Sequence, residues 1–336
     1  MNLPRRGQWV EKLVIYNIKI ISEKKQFFSF FRHKTMRLKG RPLRFLLRAS
    51  IFGLIFFSIP SHALDTKSHE PTNLGQYENF VPEGKITRFS GETLYYDISF
   101  LWFKNAASAK VRFFEEDGKY FSELEASTKG FVGFFTAYRK HFYKTEFEII
   151  DNGKKLRPKT FMRQVTIASN SESTLHKFDY SKRLHTWEKF LNGETVETGQ
   201  ENLPEEGAFN DILTAFYNIR NGAYGKLEKG KKFAIRTIPE KGHGEISVHI
   251  LPETDQEQIR IEDGRAKRDD LLLNAIVPKE IFKTKTGKIT FWSSMHFIPI
   301  ETTIKDYILL GDLHARFTHR EVQDCSGCGI THQKLE

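Results

Sequence analysis

Three features of the 336-residue sequence predict a mainly β protein, a curved antiparallel sheet or half-barrel with one central amphipathic helix. Polar and apolar residues alternate with period two through most of the chain after Thr93. Asn-Gly and Asp-Gly pairs punctuate that alternation, and one stretch, Leu203 to Gly222, replaces it with helical spacing. Period-two alternation gives each strand one buried and one solvated face, as in an antiparallel sheet, whereas a parallel α/β sheet is covered on both sides.

At the N-terminus, Arg37, Lys39, Arg41, Arg44 and Arg48 precede the apolar run Ala49 to Ile59, and Ser61-His62-Ala63 puts small residues at a cleavage site. This is the pattern of a signal peptide over 36–63, starting at Met36 and cleaved after Ala63. Residues 1–35 are then expected to be a non-native extension. The expected location is periplasmic, the alternative an inner-membrane anchor through Ala49 to Ile59, although that run is short for a span of roughly 20 residues. Residues 64–82 are polar and read as a linker; 83–321 read as a single β-rich domain; 322–336 read as a flexible tail.

Residues 1–63 hold 13 Lys and Arg against 2 Glu, so of the chain's 52 bases and 42 acids, 39 and 40 follow Ala63, a net charge of −1. The high pI therefore belongs to the leader. A nucleic-acid binder needs its positive field on the folded domain, so no nucleic-acid partner is expected.

The first strand is expected from Leu94, Tyr96, Ile98 and Phe100, and the next from Ala107, Ala109, Val111 and Phe113. A turn at Asp117-Gly118 leads to Tyr120, Ser122, Leu124 and Ala126. His141, Tyr143, Thr145, Phe147 and Ile149 run into Asp151-Asn152-Gly153, and His185 and Trp187 into Leu191-Asn192-Gly193. These Asn-Gly pairs suit type I′ turns between antiparallel neighbours. Between the third and fourth of these strands, Gly130-Phe131-Val132-Gly133-Phe134-Phe135 breaks the alternation. It reads as a buried corner of the sheet or as an apolar loop that gates a cavity or touches a membrane through Phe131, Val132, Phe134 and Phe135.

In the helical stretch, Phe209, Ile212, Leu213, Phe216 and Ile219 recur at three- and four-residue spacing, while Asn210, Asp211, Thr214, Asn218 and Asn221 share the other face. The pattern predicts an apolar stripe on the sheet and a polar face outward. Pro204, Glu205 and Glu206 suit a first turn, and Asn221-Gly222 a left-handed stop. Beyond the helix, strands are expected around Phe233, Ile235 and Thr237; Ile246, Val248 and Ile250; and Ile259 and Ile261. Three closing strands follow at Ile289, Phe291 and Ser293; Ile298, Ile300, Thr302 and Ile304; and Leu313, Ala315 and Phe317.

Several stretches together resemble the domain-of-unknown-function 3108 family of exported bacterial proteins, over roughly Gly91 to Arg320. They are Gly91-Glu92-Thr93-Leu94-Tyr95-Tyr96-Asp97, Leu203-Pro204, Asp211 through Arg220, Gly230-Lys231, Trp292-Ser293 and Ile298-Pro299-Ile300. The resemblance implies a β-rich shape like that of the envelope's lipoprotein-carrier and lipid-binding half-barrels. It implies no activity. Ser294, Met295 and His296 stand where acidic residues are expected from the family pattern, and the cysteine tail lies outside that pattern.

The chain offers little chemistry. It has no G-x-S-x-G elbow, no H-E-x-x-H and no Walker loop, and no cofactor is implied. Cys325 and Cys328 form a CxxC for which a local disulfide is the expectation; zinc with His332 or a redox pair lacks the further partners each needs. No metal site is expected from the scattered histidines: His314 and His319, at odd spacing on a strand, should face opposite ways, and His243 between two glycines reads as a turn. Asp269 and Asp270 cannot be told from a solvated turn, so a glycan- or peptide-acting hydrolase is the third reading. The first is a binder or carrier of an apolar or amphiphilic envelope molecule. Phe209, Ile212, Leu213, Phe216 and Tyr217 would form its helix wall, and Phe291 and Trp292 its sheet wall. The second is an envelope scaffold with a full core, and a large apolar cavity separates the two.

Overall fold

A computed structural model of the chain describes residues 83–100, 103–204, 209–238, 244–282, 284–307 and 311–323. The leader at 36–63, the linker at 64–82, His243 and the cysteine tail lie outside the described residues. Among the described residues fourteen strands make one antiparallel sheet. The strands β1 (Glu92–Phe100), β2 (Phe103–Glu116), β3 (Lys119–Thr128), β4 (Lys140–Ile150), β5 (Lys155–Ile167), β6 (Asn170–Asp179), β7 (Leu184–Leu191) and β8 (Glu194–Asn202) form one meander. A second consists of β9 (Lys232–Thr237), β10 (Gly244–Ile250), β11 (Asp270–Ile276), β12 (Lys288–Ser294), β13 (Pro299–Ile304) and β14 (Leu313–Val322). They join where β1 pairs with β14, which leaves β8 and β9 as the edges.

Among the described residues four α-helical segments interrupt the strands: α1 (Gly130–Phe135), α2 (Ile212–Arg220), α3 (Glu253–Glu262) and the single turn α4 (Lys279–Phe282). Helix α2 lies on the connection between the two edge strands. Side chains from β5 and from β10, far apart in the strand order, line one cavity, so the sheet curves round its inner face. Two buried clusters occupy that face, and α2 belongs to both: Leu213 and Tyr217 pack with Leu94, Phe113, Phe147 and Leu156, whereas Ala215 packs with Ile235, Ile246, Val248 and Leu273.

The turn chemistry holds at two of three hairpins. Asp117-Gly118 and Asn192-Gly193 are two-residue turns with positive φ at both positions, matching the strand twist. At Asn152-Gly153 the strands are neighbours as expected, but the pairing closes at Ile150 and Lys155 over a four-residue connection. The wider loop presents the Lys154 carbonyl to Asn221 Nδ2 at 2.6 Å, which ties it to the end of α2.

Four expectations need correction. Helix α2 starts at Ile212, not at Pro204, because the Asp211 carboxylate caps it while Asn210 is extended and bridges Thr237. The polar face of α2 is not outward: Asn210, Asp211, Thr214, Asn218 and Asn221 are all buried. Ile259 and Ile261 belong to helix α3, which begins after Pro252 with Glu253 and Asp255 in its first turn, a charge placement that favours a helix N-terminus. A bulge at Thr318, where Tyr95 pairs with His319 but Tyr96 with Phe317, returns His319 to the outer face that His314 occupies, so the two histidines do not face opposite ways.

Candidate functional site

Helix α2 is fastened by its polar side. Asp211 Oδ1 accepts from Leu213 N at 2.8 Å and Thr214 N at 3.2 Å, the N-cap bonds, and from Thr145 Oγ1 on β4 at 2.8 Å. Two turns on, Asn218 takes both backbone groups of Leu156 on β5: its Oδ1 accepts from Leu156 N at 2.8 Å and its Nδ2 donates to Leu156 O at 2.9 Å. At the far end Gly222, at φ 71, supports a Schellman closure, with Gly222 N donating to Ile219 O and Ala223 N to Asn218 O. Arg220 donates two hydrogen bonds to Glu92 at the start of β1, and Arg320 on β14 donates a third at 2.9 Å, all three side chains being buried. The helix is thus pinned where the two meanders meet.

Because hydrogen bonds hold the polar side, the apolar stripe looks elsewhere. Ile212, Phe216 and Ile219 are only half-buried, and they face a cavity of about 300 Å³ on the inner side of the sheet. Its walls include Val111 and Leu124 from the first meander and Ile246, Val248, Ile289 and Phe291 from the second. The N-cap reaches β4 at Thr145, so His141 and Tyr143, nearer the start of that strand, lie beyond the helix and line the cavity together with Arg163, Ile281 and Tyr307. The volume is at the lower end of the range of ligand pockets, roughly 300–1,000 Å³. A groove on the outer face, lined by Tyr95, Asp97, Lys110 and Glu125, is the more polar of the two. There the Tyr95 hydroxyl donates to Glu321 at 2.7 Å, and burial with that carboxylate pushes its pKa up to about 12.

The family model described as "Protein of unknown function (DUF3108)" matches residues 95–308, well over half of the chain. The chain belongs to the DUF3108 family. No curated protein matches it. Among solved structures it is similar to the crystal structure of a β-barrel-like protein of domain of unknown function DUF1849 from Brucella abortus. The TM-score is 0.40 at 9% identity, with 70% of this chain and 99% of that chain covered. The stretches that carried the resemblance include the pins of the helix: Asp211, Asn218 and Arg220 within the residues matched to DUF3108, and Glu92 just before them.

Of the residues expected to form a ligand wall in the DUF3108 domain, Ile212, Leu213, Phe216 and Phe291 line the cavity together. Phe209 and Tyr217 sit instead in the packed cluster against β1–β5. Trp292 lies on the outer face of β12, with Leu251 and Leu272, where the Arg260 and Arg265 guanidiniums stand 4.5 and 4.7 Å from its ring centroid. Strand alternation separates it from Phe291: neighbours in a strand point to opposite faces. Both arginines also reach Asp270 at 2.7 and 2.8 Å, so this carboxylate is a buried ion-pair partner while Asp269 is exposed. Sequence reasoning missed Arg163, His141 and Tyr307 as lining residues: strand parity puts His141 on the inner face with Tyr143, but which inner-face residues border the cavity depends on the curvature of the sheet, and Tyr307 lies between β13 and β14, outside any strand. Among the described residues no group of three His, Cys, Asp or Glu could hold a metal ion. The pair Cys325 and Cys328 lies outside the described residues.

The run from Gly130 to Phe135 is a short helix at the end of the sheet where β3 and β4 meet. Phe131 is 61% and Phe134 69% exposed, and the Phe131 ring stacks on Phe103 at 5.5 Å. Tyr138, on the same connection, is also exposed. No helix among the described residues is long and apolar enough to cross a membrane.

Proposed function

We propose that this protein binds or carries an apolar or amphiphilic molecule of the cell envelope, taking its apolar part into the cavity beneath α2. The observation that carries this reading is the orientation of the helix. In a full core the apolar stripe would be the packed side. Here Ile212, Phe216 and Ile219 border empty apolar volume while the polar side supplies the anchoring. That favours a binder over a scaffold with a full core. The export pattern over residues 36–63 supports an envelope setting, and the exposed Phe131 and Phe134 support contact with a membrane surface during loading.

Native mass spectrometry on protein purified from the envelope fraction without detergent tests the reading, with solvent extraction of whatever is bound. The expected result is an adduct of defined mass that extraction removes and that contains an alkyl or acyl chain. Protein that carries no adduct and takes up no apolar fluorescent probe contradicts it.

A further inference from the structure

The polar part of the cavity wall has a single sign. Arg163 and Arg220 are its charged lining residues, and no aspartate or glutamate is among them. Arg220 is ion-paired with Glu92, a carboxylate it shares with Arg320, whereas Arg163 is placed differently. It stands on the inner face of β5, opposite Tyr143 on β4, with its Nε 3.4 Å from the Tyr143 hydroxyl and its guanidinium 5.9 Å from that ring's centroid. Arg139, whose Nε donates to His141 Nε2 at 2.9 Å, brings a second guanidinium to the same end of the cavity. Both cations act on the buried Tyr307 hydroxyl, partly offsetting the upward shift that burial causes. Among the described residues, neither Arg139 nor Arg163 has a carboxylate at ion-pair distance, although other cations on these strands are paired: Arg157 with Glu148, and Lys144 with Glu123. Half-buried cations beside apolar volume, with no compensating acid, leave a site whose missing partner is an anion.

We propose that the ligand is an anionic amphiphile whose chain fills the apolar cavity and whose head group is bound by Arg163, with Arg139 and the Tyr143 and Tyr307 hydroxyls beside it. The proposal rests on the cavity reading above and adds the head-group chemistry to it. Charge complementarity supports it: a neutral chain would leave both guanidiniums without a counter-charge, and a cationic head group would be repelled by them.

The test displaces an environment-sensitive apolar fluorophore from the full-length protein with three compounds of one chain length: laurate, lauryl alcohol and lauryltrimethylammonium. Laurate is expected to bind about ten- to a hundredfold more tightly than the alcohol, the yield of one charge-assisted hydrogen-bonded pair, and the ammonium compound more weakly than either. Arg163→Gln should weaken laurate at least about tenfold more than it weakens the alcohol, and the alcohol's remaining binding, with an unchanged melting curve, reports an intact cavity in the variant. Arg163→Lys should restore part of the preference. Equal affinity for laurate and alcohol in the wild type, or a laurate preference that survives Arg163→Gln, overturns the head-group assignment while leaving the cavity standing. Displacement by inorganic phosphate alone overturns the amphiphile and indicates a simple anion site. If the folded wild type binds none of the three chains, the cavity reading fails and this proposal fails with it.

Discussion

Asn218 is fully buried, and its amide completes both backbone hydrogen-bonding groups of Leu156, so it acts on β5 as a short length of strand would. Truncation to Ala leaves two buried backbone groups unsatisfied, at about 1–3 kcal/mol each; urea denaturation should show a loss of about 2–6 kcal/mol. Phe216→Ala, on the cavity side, should cost less than the ~3–5 kcal/mol of a packed aromatic site while changing the binding of an apolar probe. The reverse ranking would place the packed face of α2 on the other side. Asp211 makes a second test. Burial raises its pKa above the ordinary 3.8, against the lowering effect of the Thr214, Thr145 and Leu213 bonds. An acid whose folded pKa is raised binds its proton more tightly when folded. Its stabilising contribution is therefore complete below the unfolded pKa and is lost as pH rises through the folded one. Asp211→Asn, an equally good N-cap, should melt higher than wild type at neutral pH, with the difference shrinking as pH falls towards 4. A variant that loses many degrees at pH 7 contradicts the assignment.

The position of α2 depends on Glu92, which accepts from Arg220 on the helix and Arg320 on β14. Glu92→Gln leaves two guanidiniums in a buried site without their counter-charge, and breaking a buried pair in this way costs about 3–5 kcal/mol. Thermal melts of this variant should show one of the largest losses of any single polar substitution in the domain, and a shift of under a degree would show that the cluster does not hold the helix. The same elements show what was legible in the sequence. The helical period at Ile212, Leu213, Phe216 and Ile219 gave the element's type, but its polar residues turned inward because strands β4 and β5 offered backbone and hydroxyl partners that no local pattern encodes. Strand β11 escaped notice because Leu271 and Leu273 face the inner cluster while Leu272 faces Trp292 on the outer face. A strand covered on both sides loses its alternation. Ile259 and Ile261 imitate a strand over three residues, too few to outweigh the helix-starting residues Pro252, Glu253 and Asp255 before them.

At the scale of the molecule, two meanders joined at β1 and β14 form a wide sheet whose curvature leaves more inner surface than one nine-residue helix covers. The antiparallel class was readable because most strands keep one solvated face; the cavity was not, since it depends on which strands curve towards each other. The exposed end at α1 has its own test. Phe131→Ser with Phe134→Ser should leave the melting temperature within a few degrees, because both side chains are mostly exposed, and should reduce sedimentation with anionic liposomes. Unchanged sedimentation would remove the membrane role from α1. The central claim, that the volume beneath α2 is a binding site, is tested most directly by filling it. Ala315 on β14 lines the cavity, and an apolar fluorescent probe can be titrated against wild type and Ala315→Phe alongside their melting curves. The account predicts that the variant melts at or above the wild-type temperature and binds the probe at least about tenfold more weakly, a change of about 1.4 kcal/mol. An Ala315→Phe protein destabilised by about 1–3 kcal/mol, the usual cost of overpacking a full core, with probe binding equal to that of wild type, would contradict it.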